Sequence, residues 1–544
     1  MKRIINFIIL SLLLAGNLHA ERNKLDKFLQ EKQRRYKQDE TIRVIVQHYT
    51  PVGDSDVGNV EKKHHGKASR RLDLIYALAA ELPIGELDKL SDEPNVLRVS
   101  FDDRVRSNGG TPTVASGAAV AASTYSVNGS GIGVAVIDSG IEDRPDLHPN
   151  VVKVVDYVDV GKTNKGDPYG HGTHVAGIIA GSGKSSFGVY AGVATGARLI
   201  DLRVLDGNGR GYVSDVIAAI EWAVANRNSK GWDGRALNIR VINMSLGHQP
   251  YESADTDPLT LACRKAVGAG LVVVVAAGNY GSDANKNTVY GGITSPGTEP
   301  SVITVGAMKT WGTDVRTDDS VASYSSRGPT FIDNFVKPDI TAPGSNVVSV
   351  LSPNCTLVRN NPQLYVDSSY MTLSGTSMAA AVVSGVATLI LDENPGLTPN
   401  AVKAILMYTA EKRAEGYLDT GAGYINAVGA VNLAANINTS TPTSQYWITN
   451  GGLGLSYNDV IAGAPVVWGQ TIVWSESIGA GNILLYNQPA WATTIVWSES
   501  VPTWATTIVW SEAIVAYAIG GQTIVWETVF DLSSTGTVED KNWQ

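Results

Sequence analysis

Gly133-Val134-Ala135-Val136-Ile137-Asp138-Ser139-Gly140 decides how the chain is read. The run Gly133–Ile137 holds no polar side chain, which predicts a strand buried on both faces, since a strand with one wet face alternates. Asp138 and the Ser-Gly after it put a carboxylate where the backbone turns. In open α/β sheets, ligands bind beyond the carboxyl ends of the strands. Similar runs follow at 197–203, 241–245 and 271–276. Helical patterns lie at 213–225, 258–269 and 398–408, and a small-residue stretch at 423–435 closes the series. Alternation of this kind predicts an α/β fold, a parallel sheet with helices on both faces.

Two other stretches carry chemistry. Gly170-His171-Gly172-Thr173-His174-Val175-Ala176-Gly177 sets two histidines three apart at a helix start. Gly375-Thr376-Ser377-Met378-Ala379 precedes a small and apolar run to Leu391, so Ser377 falls at a helix N-terminus. Asp, His and Ser are the parts of a nucleophilic triad: serine attacks, histidine takes its proton, and aspartate holds the histidine tautomer. Singly, each has a plainer reading, as a turn-forming aspartate, a helix-capping serine or a metal-binding histidine pair. The histidines lack the glutamate and four-residue spacing of zinc helices. An esterase elbow, Gly-x-Ser-x-Gly, is absent at Ser377. A binding protein with an idle catalytic domain would have lost a triad member, and none is lost.

In this order the three stretches resemble the subtilisin-like serine proteases, the subtilase family, over about residues 41–436. The resemblance implies a secreted endopeptidase that cuts protein or peptide substrates through an acyl-enzyme. Asp138, His171 and Ser377 would be catalytic, with His174 a structural neighbour. Asn279, in Ala276-Ala277-Gly278-Asn279, would donate to the oxyanion. Gly209-Arg210-Gly211 and Ser245-Leu246-Gly247 would pair with an extended substrate, and Thr294 would lie near the floor of the main specificity pocket. No charge is placed there, so an uncharged residue is expected on the amino side of the scissile bond. The chemistry needs no cofactor. Asp146 matches the family's acidic calcium ligand, which makes a structural calcium an expectation. The sequence departs from the family at Ser185-Ser186-Phe187-Gly188-Val189, where asparagines are usual, and at Ala380-Ala381-Val382, in place of Ser-Pro-His.

The rest of the chain frames this unit. Its 544 residues suggest about three to four domains. A net charge of −9 argues against a nucleic-acid partner. Two cysteines, Cys263 and Cys355, allow one bridge or none. Residues 1–20 read as a secretory signal: Lys2-Arg3, an apolar run Ile4–Ala15, then Leu18-His19-Ala20. Once it is removed no membrane attachment is expected, and the protein is secreted or held at the cell surface. Residues 21–40 read as a solvated leader. A strand at 41–46, a helix at 70–82 and a strand at 96–99 predict a small α+β unit. By the resemblance, 21–110 hold an inhibitory propeptide that acts as intramolecular inhibitor and chaperone. Cleavage near Asn108–Pro112 would make the protein an autoprocessed precursor. The catalytic domain is 111–436 and a polar linker is 437–445. Residues 446–544 hold nine of the twelve tryptophans and repeat Thr-Ile-Val-Trp at 471, 494, 507 and 523. They predict a separate β-rich module, dispensable for hydrolysis, whose tryptophans either form a core or grip an insoluble surface.

Overall fold

The computed structural model describes residues 24–35, 37–102, 111–159, 166–441, 447–449, 455–474, 477–480, 484, 492 and 508–510. The signal-like segment, the expected cleavage region at 108–110 and the tail's second and fourth repeats lie outside them. The chain packs as two units that divide between Arg106 and Ser107.

The N-terminal unit is a four-stranded antiparallel sheet in the order β2-β3-β1-β4, made by β1 (Thr41–His48), β2 (Lys67–Leu72), β3 (Ala77–Pro83) and β4 (Val96–Phe101). The expected helix at 70–82 is instead the β2–β3 hairpin. Ala, Leu and Glu favour a helix, but Asp73–Ile75 close a short turn and Tyr76 turns over at φ 49°. β3 then pairs on both sides, and Leu78, Ala80 and Leu82 point into the core at the period of a strand. The leader is not wholly solvated. Its helix α1 (Lys27–Arg35) buries Leu29, and Leu25 is buried just before it. The Asp26 carboxylate accepts the Phe101 N–H at 2.6 Å, which ties the leader to β4.

In the larger unit the main path of the sheet runs β11-β10-β9-β8-β5-β7-β6, with β12 paired to β10. Its strands are β5 (Gly133–Asp138), β6 (Val151–Asp156), β7 (Arg198–Arg203), β8 (Ile239–Met244), β9 (Val272–Ala276), β10 (Ile303–Lys309), β11 (Ser320–Val321) and β12 (Ile340–Pro343). All pairings are parallel except β10 with β11. The strands feed two cores in alternation. Val134, Val136, Val272 and Val274 face one, and Ala135, Ile137, Val273 and Val275 face the other. α2 (His171–Ala180) lies on the first side, and α3 (Val213–Asn226) and α4 (Pro258–Gly268) cover the second. α5 (Thr376–Glu393), α6 (Pro399–Thr409) and α7 (Ala427–Ala435) complete the first face. Among the described residues α5 is the helix long and apolar enough to cross a membrane, and 89% of it is buried inside the unit. Ala380, Ala381 and Val382 all lie on its buried surface. Cys263 and Cys355 are both free, one in each core, with the sheet between them.

The tail does not begin a separate body. Trp447, Ile448, Ile461, Val466, Trp468, Ile472 and Val473 belong to the same core as α5, α6 and α7. The hairpin of β13 (Asn458–Ile461) and β14 (Ala464–Val467) brings Trp468 between Tyr408 and Tyr457. The backbone then runs along the end of α6, with Gly469 N–H on Ala410 and Gln470 N–H on Tyr408. In the first repeat Thr471, Ile472 and Val473 are all buried, so it does not keep one wet face. The polar stretch before it reads as a linker because its side chains are small and hydrophilic. The apolar residues beyond it nevertheless find an uncovered face on α6 and α7.

A buried ion cluster joins β12 to α6. Lys337 and Lys403 reach the two oxygens of Asp339 at 2.8 and 3.0 Å. Burial first, then the charge of Lys337, push the Lys403 ammonium down from 10.5 to about 7, against the pull of Asp339. Between those values the unfolded chain binds a proton that the folded chain does not, so stability rises with pH. The unfolding free energy from urea melts should climb between about pH 7.5 and 9.5, with a slope approaching about 1.4 kcal/mol per pH unit, the value for one proton. Lys403→Met should flatten that climb, and an unchanged slope in the variant would count against Lys403 as its source.

Candidate active site

β5 and β8 run side by side in register, Ile137 opposite Met244, so Asp138 and Ser245 emerge together at the carboxyl edge. β9 lies next to β8 and leads into Gly278-Asn279 at that edge. Three of the expected residues therefore come from three adjacent strands.

Asp138 is buried. Its Oδ1 accepts from Ser139 N–H at 2.8 Å and from His171 Nδ1 at 2.7 Å. A carboxylate can only accept here, so Nδ1 carries the proton and Nε2 is left as the basic nitrogen of the neutral ring. His171 is the first residue of α2. The helix can approach the Asp138 turn because Gly172 has no side chain: a Cβ there would stand 2.3 Å from the Gly140 carbonyl oxygen. His174 faces inward, with Nε2 3.0 Å from the Val347 carbonyl. Burial, and next the neighbouring His171, push its imidazole down to about 3. It stays neutral near pH 7.

Ser377 is the second residue of α5, where backbone N–H groups have no partner within the helix. Its hydroxyl donates to the Ser245 carbonyl at 3.1 Å, and the Ser245 hydroxyl donates to the Ser377 carbonyl at 2.9 Å. This reciprocal pair fastens the start of α5 to the end of β8. Asn243 supports it, donating to Ser245 Oγ at 3.1 Å while accepting from Ser384 at 2.9 Å. Asn279 is exposed, and its Oδ1 accepts the Thr376 N–H at 3.0 Å. That bond fixes the amide, because only its oxygen can receive a backbone N–H. The bond uses the amide oxygen and does not engage the Asn279 NH₂.

Ser245-Leu246-Gly247 continue β8 as irregular backbone, and His248 then exchanges two 2.9 Å bonds with Ser295. Thr294 is buried and pressed against both walls. A Cβ on Gly247 would come within 2.8 Å of its hydroxyl, and one on Gly278 within 2.8 Å of its methyl. Asp257, behind Ser295, has both oxygens engaged, by Leu259 N–H at 2.8 Å and Ser295 Oγ at 2.6 Å. Gly209-Arg210-Gly211 lies on the loop after β7. Asp206 folds the segment into a turn, its carboxylate accepting Asn208 and Arg210 N–H while its own N–H bonds the Arg210 carbonyl. Gly211 follows that turn, exposed.

Asp146 is buried with both oxygens committed. Oδ1 accepts from Ser185 N–H at 2.9 Å and Oδ2 from the Tyr370 hydroxyl at 3.1 Å. Calcium takes six to eight oxygens. Here hydrogen-bond donors stand where an ion would, and no group of three acidic or metal-binding side chains gathers among the described residues. The residues around Asp146 do not fit a calcium ion.

Sequence reasoning missed three supports of the site: Asp167 with Ser139 and Thr173, Asn243 with Ser384, and Thr376. A lone Asp four residues before a histidine reads as a turn former, and a Thr before the serine as a cap. Their roles are set by partners far along the chain.

The profile of the subtilase family matches residues 129–424. The serine protease AprX of Bacillus subtilis (strain 168) is 38% identical over 75% of this chain and 91% of its own length. Subtilisin E of the same strain is 34% identical over 67% of this chain and 83% of its own length. A solved structure titled as a cold adapted subtilisin-like serine proteinase is 32% identical, covers 55% of this chain and 88% of its own, and superposes with a TM-score of 0.40. With the family profile spanning more than half of the chain, and these relatives aligned over most of their length, the chain belongs to the subtilase family and is a serine protease.

Proposed function

We propose that the protein is a secreted endopeptidase made as a self-processing precursor, with Ser377, His171 and Asp138 as its triad. The observation that carries this is the buried 2.7 Å bond from His171 Nδ1 to Asp138, at the same sheet edge to which Ser245 fastens Ser377. Ser377 Oγ attacks the peptide carbonyl and gives its proton to His171 Nε2. The imidazolium is stabilised by Asp138 and returns the proton to the leaving amine. Water then enters by the same route and releases the acyl group. The oxyanion is met by the Asn279 NH₂ and the Ser377 N–H, at the positive end of α5. The N-terminal unit acts as inhibitor and folding aid until the chain is cut near residue 110. Zymography with and without a serine-directed covalent inhibitor, with the adduct mapped by mass spectrometry, tests the reading. An uninhibited band, or an adduct away from Ser377, would overturn it.

Two further expectations arise from this site. Asn279→Ala should lower kcat by about 10²–10³ with little change in KM, since its NH₂ meets charge that develops only in the transition state. A loss confined to KM would remove Asn279 from the role. Peptides with an uncharged residue before the scissile bond should be cut faster than those with Lys, Arg, Asp or Glu there, because Ser245, Leu246, Gly247 and Thr294 present no charge. A peptide-library profile led by basic residues would contradict that pocket.

A further inference from the structure

We propose that Asp167 is a positioning residue for the Asp138–His171 pair: its carboxylate fastens the turn after Asp138 to the first turn of the helix that His171 begins. The inference rests on the triad reading above. Asp167 is buried, and four hydrogen bonds converge on it. Oδ1 accepts from Ser139 Oγ at 2.8 Å and Gly170 N–H at 2.7 Å, and Oδ2 from Thr173 N–H at 2.8 Å and Thr173 Oγ1 at 2.7 Å. These partners flank the pair. Ser139 follows Asp138 directly, and Gly170 and Thr173 stand on either side of His171.

Both hydroxyls pass the connection on. Ser139 Oγ accepts the Gly172 N–H at 2.9 Å, and Thr173 Oγ1 accepts the Glu142 N–H at 3.0 Å. A hydroxyl has one hydrogen. Because Asp167 takes both of these hydrogens, the lone pairs stay aimed at Gly172 and Glu142. One carboxylate therefore sets the direction of both hydroxyl-mediated bonds from the turn to the helix. It also takes up N–H groups at the helix start that the helix leaves without partners, with a negative charge where the macrodipole favours one. Burial pushes the Asp167 carboxyl up from its ordinary range, and the four donors pull it back down.

Asp138 is sensitive to such a fastening. Its Oδ1 makes both of its bonds, to Ser139 N–H and to His171, and its buried Oδ2 has no partner among the described residues. The Asp138 carboxylate is thus oriented through Ser139, and Ser139 through Asp167. Asp167 touches no reacting atom, so its effect belongs in kcat.

The test compares Asp167→Asn, Ser139→Ala and their double variant with the parent and with Ser377→Ala on one peptide substrate. It also follows the downfield proton resonance of His171 Nδ1–H. Asn in place of Asp167 presents an NH₂ to groups that are themselves donors. The expected result is a kcat loss of about 10- to 100-fold with KM within about two-fold, and a shifted or broadened resonance. The double variant should lose no more than Asp167→Asn alone, because both act on one connection. An Asp167→Asn enzyme with kcat within two-fold of the parent, beside an inactive Ser377→Ala, overturns the proposal alone. So does a kcat loss with an unmoved resonance, which marks an effect that does not pass through the Asp138–His171 pair. A Ser377→Ala protein that still hydrolyses the peptide overturns the triad reading and this proposal with it. Should Asp167→Asn fail to fold, Ser139→Ala decides: lost kcat with a moved resonance supports the connection, and unchanged kcat overturns it.

Discussion

Ser377→Ala should reduce peptide hydrolysis by about 10⁵- to 10⁶-fold, the scale on which removing a triad nucleophile acts, as in the relative subtilisin. In the proposed mechanism the Ser377 hydroxyl forms the acyl-enzyme. The oxyanion donors remain in the variant, so a small residual rate above water alone is expected. The same substitution should leave the precursor uncut when it is purified without other proteases, because the proposed self-processing would use the same serine. Hydrolysis rates and the size of the purified protein check both halves. A variant that keeps more than about a hundredth of the parental rate, far above that scale, would place the nucleophile elsewhere.

Truncation after Asn436 should cost the catalytic unit its stability, the second large effect. The cut strips Trp447, Ile461, Trp468, Ile472 and Val473 from the core and bares α6 and α7 to water. A milder probe is Trp468→Ala. The indole is buried between Tyr408 and Tyr457, and its N–H bonds the Asp459 carboxylate, which Asn426 also holds at 2.8 Å. Removing such a side chain costs about 3–5 kcal/mol. Melting temperature should fall by several degrees while kcat on a small peptide, measured well below the melt, stays near the parental value. A truncated protein with an undiminished melting temperature would show that these contacts add nothing, and would restore the tail as a separate module.

The site was legible where function demands a residue type at a fixed place on a local element. Asp138 ends an apolar strand, and His171 and Ser377 begin helices, so each could be placed from a few neighbours in sequence. Asn279 was found the same way, after β9. The segment 70–82 was misread because its composition favours a helix while pairing with β1 and a tight turn at Asp73–Tyr76 favour a hairpin. The turn before Gly211 was not legible because the side chain of Asp206 folds that loop, and side-chain capture of main-chain donors leaves little pattern.

By itself, then, the sequence determined the alternating α/β architecture and the chemical inventory of the site, because period-two burial and terminal placement are local properties of the chain. Tertiary structure alone decided the rest. It set Tyr370 and Ser185 on Asp146 in an arrangement that does not fit calcium, joined Ser245 to Ser377, and gathered Ser139, Gly170 and Thr173 on Asp167. It also drew Trp468 and Val473 into the core across a polar stretch that looks like a linker. The physical reason is common to these cases. A buried donor, acceptor or apolar face must find a partner, and which partner it finds depends on what the fold brings near it, from up to 224 residues away in the case of Tyr370 and Asp146.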